Sequence, residues 1–430
     1  MLSCSTWLSK AGRSTRFTIH GFQGTSVLYP PELNLNIHAM HYMGSRLKIL
    51  SIVTYILAFG FLSQLNAQEV EAKSTKHEKP VMKDSLDGKF DFSSFLIDSK
   101  GFIPIPFIIT EPALGNIGGV LALAFISPKE IPEGQTYVAP DITLGMGMYT
   151  ANNSWMVGGG RIGSFPKRGI KYRAFTGYAS LNLSFYRTFE SAGEKEYEFN
   201  LGAFPVLLSL SKSLPRTDLY LGAQYSFSKT KVDPLFVEDL PDWVSEDDLD
   251  TKTGSLGIFT DWDRRDNFFT PNKGTILHIL YAVDDDWTAS DYSYQRLHVF
   301  ANWFFPIKER WISGIRLESQ HVFDDPPFYL LPSLNMRGVP AARYQGATTA
   351  IVETEQRFDL NLRWSVLGFG GLGKAVMRDE EFSDAKTIYN YGAGFRYLIA
   401  RAFGIRAGID VAMGPDNFGW YIVFGHNWNR

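Results

Sequence analysis

Cysteine is all but missing from this chain. Of 430 residues only Cys4 is one, so a mature protein that starts beyond it has no disulfide to form, which suits passage through an oxidising compartment. Long apolar runs are missing as well. After the N-terminal region none approaches the ~20 residues that a spanning helix needs, which excludes a helical membrane protein. Catalytic signatures are equally scarce. There is no Gly-x-Ser-x-Gly elbow and no His-Glu-x-x-His pair, and Gly158-Gly159-Gly160 leads into no Lys-Ser or Lys-Thr of a phosphate loop. His278, His298, His321 and His426 are scattered. No enzymatic activity, cofactor or metal is expected, and a net charge of -3 offers nothing to a nucleic acid.

What the chain has instead is alternation. From Leu331 a loop containing Asn335-Met336-Arg337-Gly338-Val339-Pro340 leads into a run with Glu353, Glu355, Arg357, Asp359, Asn361 and Arg363 on one face. Val352, Phe358, Leu360 and Leu362 fall on the other. Period two means a strand. A strand with one charged and one apolar face fits a membrane barrel with a wet lumen better than a soluble sandwich. The pattern recurs: Asn390, Gly392, Gly394 and Arg396 oppose Tyr389, Tyr391, Ala393, Phe395 and Tyr397, while Arg406, Gly408, Asp410 and Ala412 oppose Ile405 to Met413. The chain closes with Phe418, Trp420, Ile422, Phe424 and Trp428 on one face, read as looking outward to lipid. The 39 glycines and 15% aromatics agree, as small lumen residues and interfacial girdles.

Taken in order, residues 1–42 read as neither signal nor domain and are expected to reflect a start codon assigned too early. Residues 43–67 have the order of a cleaved signal peptide: Arg46 and Lys48, the apolar run from Ile49 to Leu62, then Leu65-Asn66-Ala67. Residues 68–101 are rich in Lys, Glu and Asp and read as a disordered periplasmic leader, the other reading being a short helix or plug over Phe92 to Ile97. Residues 102–430 carry about sixteen short strand patterns, an even number that uses up the rest of the chain. The expected fold class is therefore an all-β transmembrane antiparallel barrel with a loop inserted in its lumen. The short connections, such as Pro166-Lys167-Arg168-Gly169, fall on one side and the long ones on the other. Between Asp233 and Asp250 there are eight acids and no base, read as a solvated outward loop.

Three motifs give the barrel a resemblance. The stretch from Asp263 through Arg265, Asp266, Asn267 and Pro271 to Gly274 is similar to the signature turn of the BamA and TamA superfamily of outer-membrane assembly barrels, the bacterial surface antigens. Its Pro and Gly suit a tight turn, and Asp266 or Asn267 can accept from turn amides. Met336-Arg337-Gly338-Val339 resembles that family's Arg-Gly loop tip, and Pro106 to Gly119 its opening hairpin. The resemblance implies that the loop enters the lumen. There Arg337 and Gly338 would form a lock with Glu353 and Glu355 on the next strand, because a buried guanidinium needs carboxylates. Two departures stand out: Gly371 sits where the family's strand 13 offers an Asp, and the leader is too short for a POTRA domain.

The resemblance implies a Gram-negative outer-membrane protein acting in insertion, assembly or export of outer-membrane components. Its partners would be outer-membrane lipid and lipopolysaccharide, an unfolded outer-membrane protein or other exported client, and separate periplasmic proteins. The alternative is a passive channel or structural barrel. One local feature favours a moving part. Pro104 and Pro106 lie two apart, so both missing amide donors face the same neighbour. With Gly419 and Gly425 adding flexibility on the last strand, they mark a weak seam between first and last strands.

Overall fold

The computed structural model describes residues 82–98, 101–127, 129, 141–189, 193–237, 239–415 and 417–428. The expected signal peptide at 43–67, the segment 1–42 before it and the leader up to residue 81 lie outside the described residues. Sixteen strands follow one another: β1 (Gly101–Ile109), β2 (Gly118–Ser127), β3 (Asp141–Thr150), β4 (Trp155–Phe165), β5 (Ile170–Phe189), β6 (Gly193–Ser213), β7 (Leu219–Pro234), β8 (Asp250–Asp263), β9 (Gly274–Asp284), β10 (Tyr294–Lys308), β11 (Trp311–Val322), β12 (Thr348–Asp359), β13 (Trp364–Val376), β14 (Thr387–Ala400), β15 (Ile405–Met413) and β16 (Phe418–Phe424). Each pairs antiparallel with the next in a single sheet, β1 to β16 in order.

Alternation sets the two faces. On β12, Glu353 and Arg357 are buried while Val352 and Phe358 are exposed, and on β14 Asn390 and Arg396 are buried while Tyr389, Tyr391 and Phe395 are exposed. The exposed set continues round the wall through Leu121, Val157, Leu208, Ile258 and Leu317, an apolar band of the kind a bilayer requires. Strands β5 and β6, at 20 and 21 residues, are about twice the ~9 to 11 needed to cross. Their surplus forms an apolar cluster beyond the wall, where Phe185 and Phe199, with Val232 of β7, pack on Val244 and Phe328 of the long connections. Part of the acidic loop belongs to that layer: Asp248 is buried and accepts from the Tyr292 hydroxyl at 2.5 Å.

Two expectations need correction. Residues 82–98 of the leader are ordered. They form a bridge between Lys83 and Phe90 and a helix, α1 (Ser93–Asp98), close to the 92–97 alternative. Aspartates that composition alone scores as solvated are held here by arginines of the barrel, described below. The last strand also ends early. Gly425, at φ +80°, breaks the period after Phe424 and bonds Arg406 O through its amide at 2.6 Å. Trp428 is thereby turned inward: it is 3% exposed and packs its ring 6.1 Å from that of Phe304, a buried residue of β10. Counting by twos to residue 428 carries the pattern across a glycine that changes the chain's direction. Trp428→Ala should cost about 3–5 kcal/mol, as for other buried aromatics, read as a lower urea midpoint in lipid vesicles; an outward Trp428 would give well under 1 kcal/mol.

Candidate functional site

The connection between β11 and β12 folds back into the barrel as a short hairpin closed by the Ser333–Gln345 bridge. Its tip is buried, with Leu334, Met336 and Val339 packed on Ile351 and Ile388 of the inner wall. Gly338 takes φ +82°, and a Cβ there would meet the Met413 and Gly414 backbone at 2.9 Å, so the tip needs glycine.

Arg337, 3% exposed, is held by carboxylates from two strands. Its Nη1 donates to Asp410 Oδ2 of β15 at 2.6 Å and lies 2.9 Å from Glu355 Oε2 of β12. The guanidinium lies over the Phe369 ring of β13, 3.4 Å from its centroid, while its Nε and Nη2 find no hydrogen-bond partner among the described residues. Glu353 does not contact Arg337. It pairs with Arg316 of β11 and accepts from Asn390 Nδ2 at 2.9 Å, and the same amide donates to Arg337 O at 3.0 Å. Asp410 is shared, since Arg396 of β14 grips both its oxygens at 2.5 and 2.9 Å.

Glycines make this geometry. Arg316, Glu353, Gly371 and Asn390 are successive partners across β11 to β14. A Cβ on Gly371 would lie 2.4 Å from Glu353 Cγ and 2.9 Å from Asn390 Oδ1. The bare position therefore lets Asn390 reach Glu353 over the intervening strand. Gly394 likewise leaves room for Asp410, and Gly392 for the Phe369 ring. The carboxylate that the resemblance leads one to seek on strand 13 is supplied here by Asp410 of β15. Only Asp410's inward parity could have pointed to it, and nothing local to the Arg337 loop does.

The Asp263–Gly274 motif does more than turn. Asp266 Oδ1 accepts from the amides of Asn272 and Lys273 at 2.9 and 3.2 Å, and Asn267 Oδ1 from those of Phe269 and Thr270 at 2.8 Å each. Arg265 grips Asp263 through Nε and Nη2 at 2.8 and 2.6 Å. The turn then reaches to other strands. Asn267 Nδ2 donates to Phe403 O at 2.9 Å, Arg357 of β12 donates to Pro271 O at 3.4 Å, and His426 N donates to Phe269 O at 2.8 Å. Gly274, at φ +111°, packs on Arg264.

At the seam, the β1–β2 register continues unbroken through Pro104 and Pro106. Between β1 and β16, by contrast, no strand pairing occurs among the described residues. The two strands touch through Phe107 and Phe424, whose rings meet edge to face at 5.4 Å. Gly419 is not a source of slack: a Cβ there would lie 2.7 Å from the Tyr421 hydroxyl, which accepts from Gly338 N at 2.8 Å. Gly425 ends the strand. Their expected flexibility is corrected to room for a tyrosine and a change of direction.

A second arginine site was not legible. Arg363, in the turn after β12, uses all five of its donors. Nε binds Asp87 at 2.6 Å, Nη1 binds Asp91 at 2.7 Å and Leu398 O at 3.0 Å, and Nη2 binds Asp87 at 2.8 Å and Asp84. Arg401 also binds Asp84. Its hydrogen bonds and the Leu86 amide hold the Asp84 carboxyl well below the usual range. Bonds from Arg363 lower Asp87. Asp91, which burial pushes up, is brought down on balance by Ser93 and Arg363.

No family model matches the sequence, and no curated protein does. Among solved structures the fold is similar to that of BamA from Haemophilus ducreyi lacking POTRA domains 1–3, with a TM-score of 0.52 at 10% identity over 76% of this chain and 70% of that one. It is equally similar to CdiB from Escherichia coli, with a TM-score of 0.52 at 12% identity over 75% of this chain and 62% of that one, so the match spans less than two thirds of CdiB. This chain has the BamA-type barrel fold. A mutant porin of Rh. blastica is also found, at 13% identity over 75% of this chain and 96% of that one, with a TM-score of 0.31.

Two outcomes test this BamA-type barrel. Arg337→Ala leaves Glu355 unpaired and should cost about 3–5 kcal/mol, as when one partner of a buried pair is removed. The freed loop should raise ion conductance in planar bilayers, and unchanged conductance and stability would show that the lock holds nothing. The aspartates set the second. All three are lowered in the folded state, so their contribution is complete above the ordinary carboxylate range, near pH 4, and is lost as pH falls through the lowered values. By hydrogen exchange, residues 82–98 should stay protected at pH 5 and lose protection below about pH 4; loss already at pH 5 to 6 would contradict the pairing.

Proposed function

We propose that this chain is an outer-membrane barrel that acts in the insertion, assembly or export of outer-membrane components, handling them at the β1–β16 seam. The observation that carries the reading is the missing ladder. Every other neighbouring pair is hydrogen bonded, and in a bilayer an unsatisfied backbone group costs several kcal/mol, so an unladdered junction suits a place where another chain or lipid enters. Pro104 and Pro106 support it: the β2 ladder runs through them without needing their donors, which leaves β1 poorly equipped to close on β16. The exposed apolar wall supports placement in a membrane, and the BamA-type fold supports the outer one. The clients are unfolded outer-membrane proteins or other exported chains, with lipopolysaccharide and lipid as surroundings and separate periplasmic proteins as helpers. No chemistry is assigned to the barrel.

A cysteine pair at Phe107 and Phe424, or Ile105 and Val423, in a chain with Cys4 replaced by Ser, locks the seam on oxidation. Cells relying on the locked protein should accumulate unfolded outer-membrane proteins and recover on reduction. Full function of the oxidised protein would favour the passive-channel reading.

A further inference from the structure

The aspartate-rich segment 82–98 precedes β1 in the chain yet is docked beyond β16, on the turns of β12–β13 and β14–β15. One end is fixed to the turns of β12–β13 and β14–β15 through Asp84, Asp87 and Asp91 on Arg363 and Arg401. Backbone and aromatic contacts reinforce it. Phe92 N donates to Ile399 O at 2.6 Å, the Tyr397 hydroxyl donates to Phe90 O at 3.1 Å, and Ala402 N donates to Ser93 Oγ at 3.0 Å. Phe90, Phe92 and Phe95 stack edge to face in series, at 5.5 and 5.2 Å. Two residues beyond its other end, β1 begins at Gly101.

The chain that starts on the β14–β15 turn is thus covalently β1, on the far side of the gap from β16. From Ser93, α1 contributes ~9 Å at 1.5 Å per residue, and the two residues after it ~7 Å, a reach of about 16 Å. Crossing from the β14–β15 turn past β15 and β16 to β1 takes about 10 to 12 Å at ~4.8 Å per strand. With α1 folded and the aspartates docked, about 4 to 6 Å is left, roughly one strand spacing, so the docked strap limits how far β1 can leave β16.

We propose that residues 82–98 are a strap across the periplasmic end of the seam, and that β1 and β16 separate there by more than about one strand spacing, ~4.8 Å, only when Asp84, Asp87 and Asp91 leave Arg363. The idea rests on the seam as an opening, and its anchor is the arginine that binds three aspartates. Arg363, Asp84 and Asp91 are nearly buried, at 4%, 3% and 4%, and Asp87 is 21% exposed. The β12–β13 turn is closed by Leu360 N and the Asn361 side chain, and the Arg363 side chain gives the wall one hydrogen bond, to Leu398 O, its others going to the three aspartates. Its product is a tether.

The test uses the full chain with Cys4 replaced by Ser, in lipid vesicles. A Ser93→Cys/Ala402→Cys pair reports docking by disulfide yield, and nitroxides on Phe107→Cys and Phe424→Cys report the seam by pulsed spin resonance. Asp84→Asn/Asp87→Asn/Asp91→Asn, which leaves the barrel's own residues intact, should lower the disulfide yield several-fold. It should also add a longer-distance population to a single short one. Arg363→Ala should do the same from the barrel side. A strap that undocks while the seam distance stays unchanged overturns the proposal, as does a triple variant that docks like the parent. The reading of function has a separate arm: cells carrying the strap-locked Ser93→Cys/Ala402→Cys protein should lose outer-membrane assembly. If they assemble normally while the triple variant's seam still widens, the strap stands and the gate reading falls.

Discussion

A buried guanidinium tolerates no loose arrangement, and Arg337 makes the rest of this lumen conform to it. In a low-dielectric interior an unpaired cation is far costlier than any loop it could order. The carboxylates must come to it, here Asp410 from β15 and Glu355 from β12. Each in turn needs neighbours. Asp410 draws Arg396, Glu353 draws Arg316, and Asn390 joins the two groups. The result is a network over five consecutive strands, which fixes their register as firmly as the apolar face does.

That network explains the glycines of β13 and β14. Side chains long enough to meet across a strand need a strand with nothing in the way, so Gly371, Gly392 and Gly394 are spaces shaped for particular neighbours. Read in sequence they are only small lumen residues. Their use depends on which residues stand opposite, and register is set by the whole sheet.

Alternation was legible because it is local. Parity alone sorts Glu353 and Arg357 from Val352 and Phe358, and the strand count and both faces follow from it. Partner choice is not local. Arg337 and Asp410 are 73 residues apart, and Arg363 and Asp87 276 apart, and no spacing rule links them. Where parity was carried too far, a backbone break defeated it: Gly425 turns Trp428 from the outer face into the lumen, and the tight turn at Leu360–Arg363 ends β12 while the polar alternation goes on.

The ties are unevenly distributed about the seam. On its β16 side the loop tip is held by Tyr421, Asp410 and Asn390, and the tail by Arg406 and Phe269. On its β1 side the described hydrogen bond from the tip is that of Ala341 N to Glu111, at 3.2 Å. Strands β11 to β16 thus form a block braced from inside by charge, and β1 hangs from β2 and from the strap. If the two edges part, the physical cost of moving β16 includes breaking the lumen network, whereas moving β1 means undocking the strap and breaking the bond from Ala341 N to Glu111. The cheaper motion is a swing of the β1–β2 hairpin, with the lock and β16 standing still.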